Sequence, residues 1–274
     1  MTVSNKFKVA CLQMTTGTNI ADNLSILSKR LKIAKDMGAN LIITPEQTLL
    51  MAENKTQLFN QISNEKEDFG LKEIRKIIKH LGVFVIIGSL SIKYNNQLAL
   101  NRSYAFDSMG EVIGFYDKIH MFDVKISDEE SYFESNTYKP GEKLSIINLP
   151  WGMCGLSICY DLRFPNLYRQ LAQKGAKFIT VPSAFTITTG KAHWHTLLRA
   201  RAIETGCYIF APAQIGFHEN GRKTYGHSLI VSPWGNIISE AKIGDQMAFA
   251  EIDTDEVELY RKKIPTINQN YDYL

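Results

Sequence analysis

Short runs rich in β-branched residues alternate along this chain with longer stretches whose apolar residues recur every three or four positions. That alternation restricts the chain to α/β architectures, in which helices cover sheets built of buried strands. Residues 8–13 have the pattern of a first strand. Asp22 is placed to cap a helix whose buried stripe is Leu24, Leu27, Leu31 and Ala34, ended by Gly38. Leu41–Ile43 follows as a strand, and Pro45 breaks the ladder behind it, so Glu46 falls just past a strand's carboxyl end. Ile74, Ile77, Ile78 and Leu81 mark a second amphipathic helix, and residues 83–87 a strand running to Gly88. Residues 101–106 and 114–116 pattern as a hairpin. Residues 144–149 and 155–159 form another strand pair, joined through Pro150, Trp151 and Gly152. Beyond them a helix starts at Phe164 and Pro165 and stops at Gly175, residues 178–181 are a strand, and 191–205 are a helix. Strands at 208–213, 228–231, 237–238 and 249–252 complete the pattern.

No repeat, low-complexity segment or flexible linker divides the 274 residues, so one domain spanning 1–274 is expected. The formal charge of +3 is too mild and too dispersed for a nucleic-acid groove. The apolar runs are far shorter than the roughly 18 residues that cross a bilayer, and the stretch behind Lys6 and Lys8 is too short for a signal peptide. Four cysteines without a C-x-x-C pair suit a reducing compartment, and a cytoplasmic protein is expected. One segment stands out. Residues 122–142 form a long irregular stretch, and loops longer than about 12–15 residues in a domain of this kind are usually functional or mobile.

Cys159 is the most informative position for chemistry. It follows a strand and precedes Tyr160, Asp161, Arg163 and the helix start at Pro165, so the chain bends there from strand to helix. Such an elbow exposes a thiol and aims free backbone N–H groups at what the sulfur attacks. Free cysteines are more often small buried hydrophobes, and that reading stands beside the nucleophile. A cysteine nucleophile needs a base and an oxyanion stabiliser. Glu46 and Lys118, each in a loop after a strand, are candidates for the two roles, although solvated glutamates and lysines are common.

Taken together, Thr44-Pro45-Glu46, Tyr116-Asp117-Lys118-Ile119-His120, and the run from Gly155 through Cys159-Tyr160-Asp161-Leu162-Arg163-Phe164-Pro165 resemble the nitrilase superfamily of carbon-nitrogen hydrolases. Further similar segments are Pro182-Ser183-Ala184-Phe185, Thr189-Gly190 with Ala192-His193-Trp194, Arg199 to Thr205, and Tyr225-Gly226-His227-Ser228 with Pro233-Trp234-Gly235. The similarity spans nearly the whole chain, and its downstream part is closest to the Nit branch. It implies a four-layer α-β-β-α sandwich and a Glu46–Lys118–Cys159 triad, with Glu134 as a supporting acid. Glu134's other reading is solvated charge in an acidic stretch. The resemblance further implies a small-molecule amide of a 2-oxo acid as substrate, deaminated glutathione ahead of 2-oxoglutaramate, and a thioester intermediate. No cofactor and no metal are implied, and the assembly implied is a homodimer or higher homo-oligomer.

Tyr160, Arg163, Phe185, Thr189, His193 and Arg199 are the expected substrate-binding residues. Arg163 and Arg199 are candidates for a substrate carboxylate, with structural ion pairing as the alternative, and His193 for orienting pocket groups. His193 and His195, two apart on a helix, point to different sides and argue against a helical metal pair. His120 and His227 are expected to be structural, and Arg201 to pair with Glu204. A non-catalytic binding or scaffolding protein of the same fold is the competing reading. In the proposed reaction Glu46 alternates between base and acid, and its burial is expected to raise its pKa.

Overall fold

The computed structural model describes residues 5–128, 130–244 and 246–269. Strand β1 (Lys6–Met14) leads into helix α1 (Ile20–Asp36) and returns as the parallel strand β2 (Leu41–Ile43). The cap of α1 is Asn19, whose side chain accepts from the N–H groups of Ala21 and Asp22; Asp22 itself lies in the first turn, where its charge suits the helix dipole. The buried stripe accordingly includes Asn23 with Leu27, Leu31 and Ala34, and the Asn23 amide bonds the carbonyls of Gly17 and Leu49. A short helix α2 (Lys55–Gln61), without a periodic apolar stripe to announce it, precedes α3 (Phe69–Leu81).

Strand β3 (Phe84–Lys93) does not end at Gly88 but runs through it, with a register shift between Ile87 and Leu90 in its pairing with β4 (Ala99–Phe106). The glycine marks a bulge, because a Cβ at position 88 would lie 1.9 Å from the Thr44 carbonyl oxygen and 2.4 Å from Pro182. This close approach seats the loop that carries Glu46. Strand β5 (Val112–Asp117) completes the expected hairpin with β4. The irregular stretch 122–142 contains a small ribbon, β6 (Asp123–Lys125) against β7 (Ser131–Phe133), and a 3-10 turn at Glu134–Asn136.

A second sheet opens with β8 (Ser145–Leu149) and β9 (Gly152–Leu156), followed by helix α4 (Pro165–Gln173), β10 (Phe178–Thr180), helix α5 (Ile187–Thr205) and β11 (Tyr208–Ala211). Helix α5 starts four residues earlier than expected, capped by the Thr186 side chain. The run 208–213 is not one strand. Pro212, with no N–H to donate, breaks it, and the chain crosses to β12 (Ala213–Phe217), which pairs with β1 in the first sheet. Strands β13 (Lys223–Tyr225), β14 (Leu229–Val231), β15 (Ile237–Glu240) and β16 (Met247–Asp253) precede helix α6 (Asp255–Lys263).

The eight-stranded sheet has the order β13-β12-β1-β2-β3-β4-β5, with β16 also on β1; the six-stranded sheet runs β15-β14-β11-β10-β9-β8. Alternation along β1 shows the layering. Ala10 and Leu12 pack with Leu27 and Leu31 of α1 and Ile74 and Ile78 of α3, whereas Val9 and Cys11 join the core shared with the second sheet. Leu171 of α4 and Trp194 and Leu198 of α5 extend that core on the second sheet's side, giving the α-β-β-α sandwich. Arg201 pairs with Glu204 as expected, at 2.9 Å. All four cysteines are buried free thiols, and among the described residues no helix is long and apolar enough to cross a membrane.

Candidate active site

The loop after β2 is pinned before it reaches the cavity: Thr44 Oγ1 accepts the Gly88 N–H at 2.9 Å and shares a 2.6 Å hydrogen bond with Thr48 Oγ1. Glu46 is thereby carried inward and is only 4% exposed. Lys118 leaves the end of β5 with its N–H donating to the Asn101 carbonyl at 3.0 Å, and its side chain is 2% exposed. Cys159 opens a 3-10 turn three residues past β9, with φ +50° and its N–H donating to the Pro182 carbonyl at 2.9 Å. A cysteine in the left-handed region is strained, so the surroundings must hold it. Asp161, fully buried, does so by accepting from the Ile158 N–H (2.9 Å), the Tyr116 hydroxyl (2.8 Å) and the His120 N–H (3.1 Å), and by bonding His120 Nδ1 (2.6 Å). His120 thus ties the Lys118 loop to the Cys159 turn.

These elements bring Glu46, Lys118, Cys159 and Glu134 together. Lys118 Nζ lies 2.8 Å from Glu46 Oε1 and 2.8 and 3.0 Å from the two Glu134 oxygens. The Phe122 N–H donates to Glu134 Oε2 at 2.7 Å, and the Ala184 N–H to Glu46 Oε2 at 3.0 Å. Glu134 is therefore not a solvated charge; the stretch 122–142 delivers it to Lys118. Asn101, not anticipated from the sequence, bridges the acids by donating Nδ2 to Glu46 Oε1 (3.0 Å) and Glu134 Oε1 (3.1 Å). Beside Arg102 and Ser103 in the same strand, nothing in the local sequence marked it out, and only its burial beside the two acids does.

The electrostatics of the cluster overturn one expectation. Burial alone pushes Glu46 up, but the charge and hydrogen bond of Lys118, the hydrogen bond from Cys159 and the charge of Arg222 together hold its pKa below the ordinary 4.5. Desolvation and the neighbouring Glu46 charge push the Cys159 thiol well up, only partly offset by Lys118 and the Ala184 N–H. The carboxylates hold Lys118 well above its usual value, against desolvation. At neutral pH the resting state is a thiol beside a carboxylate and an ammonium, suited to proton transfer during attack rather than to a preformed thiolate.

The cluster forms the base of a cavity of about 210 Å³. Tyr160, Arg163, Phe185 and Thr189 line it, as do Arg222, Phe122 and the β7 aromatics Tyr132 and Phe133, none of which is among the expected substrate-binding residues. Phe122 lies edge-on to Tyr160, with ring centroids 5.1 Å apart. Two expected residues lie outside the lining. His193, one turn beyond Thr189, meets Arg163 instead, whose Nη1 donates to His193 Nδ1 at 3.2 Å. Arg199 is ten residues along α5 from Thr189, roughly 15 Å of helix, and its Nε donates to the Gly235 carbonyl at 2.8 Å. Its role is to brace the β14–β15 turn.

Away from the cavity, His195 Nε2 and His227 Nδ1 lie 3.2 and 2.6 Å from Glu240 Oε1, and the three potential ligand atoms fall within 4.8 Å of one another. The spacing of His193 and His195 could not reveal this trio, because His195 meets residues from two other elements. The carboxylate satisfies both rings, and the Trp194 indole N–H fixes the His227 carbonyl at 2.8 Å.

Residues 8–262 match the family model described as carbon-nitrogen hydrolase. The deaminated glutathione amidase of Yersinia enterocolitica is 40% identical to this chain, covering 96% of it and 92% of the relative. That of Homo sapiens is 35% identical, over 94% of this chain and 80% of the relative. Among solved structures, the NitFhit protein of C. elegans superposes with a TM-score of 0.89 at 32% identity, over 97% of this chain and 65% of that one. Nit3 of Saccharomyces cerevisiae, a member of branch 10 of the nitrilase superfamily, gives a TM-score of 0.86 at 29% identity, with 97% of each chain covered.

Proposed function

Because the chain belongs to the carbon-nitrogen hydrolase family, we propose that it hydrolyses the amide bond of deaminated glutathione, releasing 2-oxoglutarate and cysteinylglycine, with Cys159 as nucleophile. The observation that carries this reading is the Lys118 ammonium held at 2.8 Å from both the Glu46 and the Glu134 carboxylates at the base of the cavity that Cys159 also lines. Glu46 takes the thiol proton as sulfur attacks the carbonyl carbon. The developing oxyanion is held by Lys118 and by the backbone N–H of Tyr160, which lies in the first turn of a 3-10 helix where N–H groups have no partner within the turn. Glu46 then returns the proton to the leaving nitrogen, the C–N bond breaks, and a thioester remains on Cys159. Water activated by Glu46 hydrolyses it. Glu134 and Asn101 keep Lys118 aimed through the cycle, and Arg163, over the Phe185 ring at 5.4 Å, is placed to bind a substrate carboxylate.

We place the enzyme in the cytoplasm, on its four free cysteines, and expect a homodimer or higher homo-oligomer by analogy with the family. Relative turnover of deaminated glutathione and 2-oxoglutaramate, with rapid quenching and intact-mass measurement, tests the reading. A higher kcat/KM for the former and a 2-oxoglutaryl adduct on Cys159 are expected. A clear preference for 2-oxoglutaramate reverses the substrate assignment, and undiminished turnover by Cys159→Ala refutes the nucleophile.

A further inference from the structure

Arg222 is the cavity residue whose role the proposed cycle leaves open. It lines the cavity, and among the described residues no carboxylate lies within ion-pair distance of its guanidinium. Its backbone is anchored on both sides, its N–H donating to Asn220 Oδ1 at 3.0 Å and its carbonyl accepting the His218 N–H at 2.9 Å. The guanidinium lies over the Tyr132 ring at 5.5 Å and donates Nη2 to the Ala184 carbonyl at 2.9 Å. The nearby acid Glu130 is occupied elsewhere, held at 3.2 Å by the Tyr132 hydroxyl and at 3.2 Å by Thr188 Oγ1. Most of the guanidinium N–H donors are thus left for a ligand, on a positioned side chain that loses little freedom on binding.

The side of the cavity on which Arg222 lies follows from Ala184. That residue donates its N–H to Glu46 Oε2 at 3.0 Å and accepts from Arg222 at its carbonyl, so one residue separates the Glu46 carboxylate from the guanidinium. The Arg222 charge acts on Glu46 for the same reason. Glu46 protonates the leaving nitrogen, so the leaving half of the substrate lies on the Glu46 side, and beyond Glu46 is Arg222. In cysteinylglycine the terminal carboxylate is two residues from that nitrogen, at most about 7 Å when extended. The path from Glu46 through Ala184 to Arg222, one residue and two hydrogen bonds, is of the same order.

We propose that Arg222 binds the terminal carboxylate of the leaving peptide and so sets the preference for anionic leaving groups; this rests on the deaminated glutathione reading above. The test is a cycle of two enzymes and two substrates: wild type and Arg222→Gln, each with deaminated glutathione and with the same compound carrying a carboxamide in place of the glycine carboxylate. In wild type, amidation should lower kcat/KM by about 10–100-fold, chiefly through KM, as expected for loss of a charged hydrogen bond. In Arg222→Gln the two substrates should become equivalent, and Arg222→Lys should restore part of the difference. Both substrates are measured on the same preparation, so partial misfolding cancels from the ratio. If wild type turns over both and Arg222→Gln lowers both by the same factor, Arg222 does not read that carboxylate, although the amidase reading stands. Absence of turnover of either by wild type overturns both.

Discussion

The base and the rim of the cavity carry positive charge in opposite ways. At the base, Lys118 is almost wholly buried and lies between two carboxylates, at 2.8 Å from each. At the rim, Arg163 and Arg222 lie over aromatic rings, with no carboxylate in ion-pair range among the described residues. A buried ammonium must be neutralised in the resting protein, because desolvation of an unpaired charge is too costly. A guanidinium at a solvent-reached rim can wait for its counter-charge. In the proposed reaction the base would thus keep its charges fixed during chemistry, whereas the rim would leave charge for the substrate to neutralise.

Lys118→Met attacks the base and should have the largest effect. Leaving Glu46 and Glu134 buried without their cation should destabilise the protein by about 3–5 kcal/mol. Loss of the oxyanion donor should lower kcat by at least about 10²–10³-fold. Calorimetry and steady-state kinetics measure the two, and an unchanged Tm would mean that the base is not a compensated cluster. Arg163→Gln attacks the rim. It should lower kcat/KM by about tenfold while changing stability by no more than about 1 kcal/mol, since only the His193 hydrogen bond and ring contacts are lost. A large fall in Tm would erase the contrast between the two regions.

The smallest effect concerns acid. Because the folded-state pKa of Glu46 is below 4.5, the group contributes stability above about pH 4.5 that is lost as the pH falls through its lower folded value. Tm should therefore be insensitive to Glu46 between pH 7 and 5 and decline below that range. The acid limb of kcat/KM should likewise fall below pH 4.5. An acid limb near pH 6 would show that desolvation outweighs Lys118 after all.

Local pattern made much of the fold legible. The stripe of α3, the β4–β5 hairpin and the stop at Gly175 are short-range consequences of side-chain periodicity and turn chemistry. The misreadings came where a distant partner decided. Gly88 resembles a strand end until Thr44 and Pro182 are seen against it, and Pro212 resembles a strand interior until the chain changes sheets there. In the site, Glu46, Lys118 and Cys159 could be named because each sits in a distinctive motif beside a strand end. Arg222 could not, since nothing in the turn before Lys223 distinguishes it from surface charge. Arg199 looked as able to bind a carboxylate as Arg163, and only its position along α5 separates them.

By itself the sequence determined the residue types at the base of the cavity and the alternation that stacks two sheets between helices, because both are written in neighbouring residues. The tertiary structure alone decided which charges meet. It lowered the Glu46 pKa by placing Lys118 at 2.8 Å, brought Glu134 to the same ammonium, and left Arg222 without a carboxylate partner among the described residues. Electrostatic energy depends on separation and burial in space, and neither is encoded by distance along the chain.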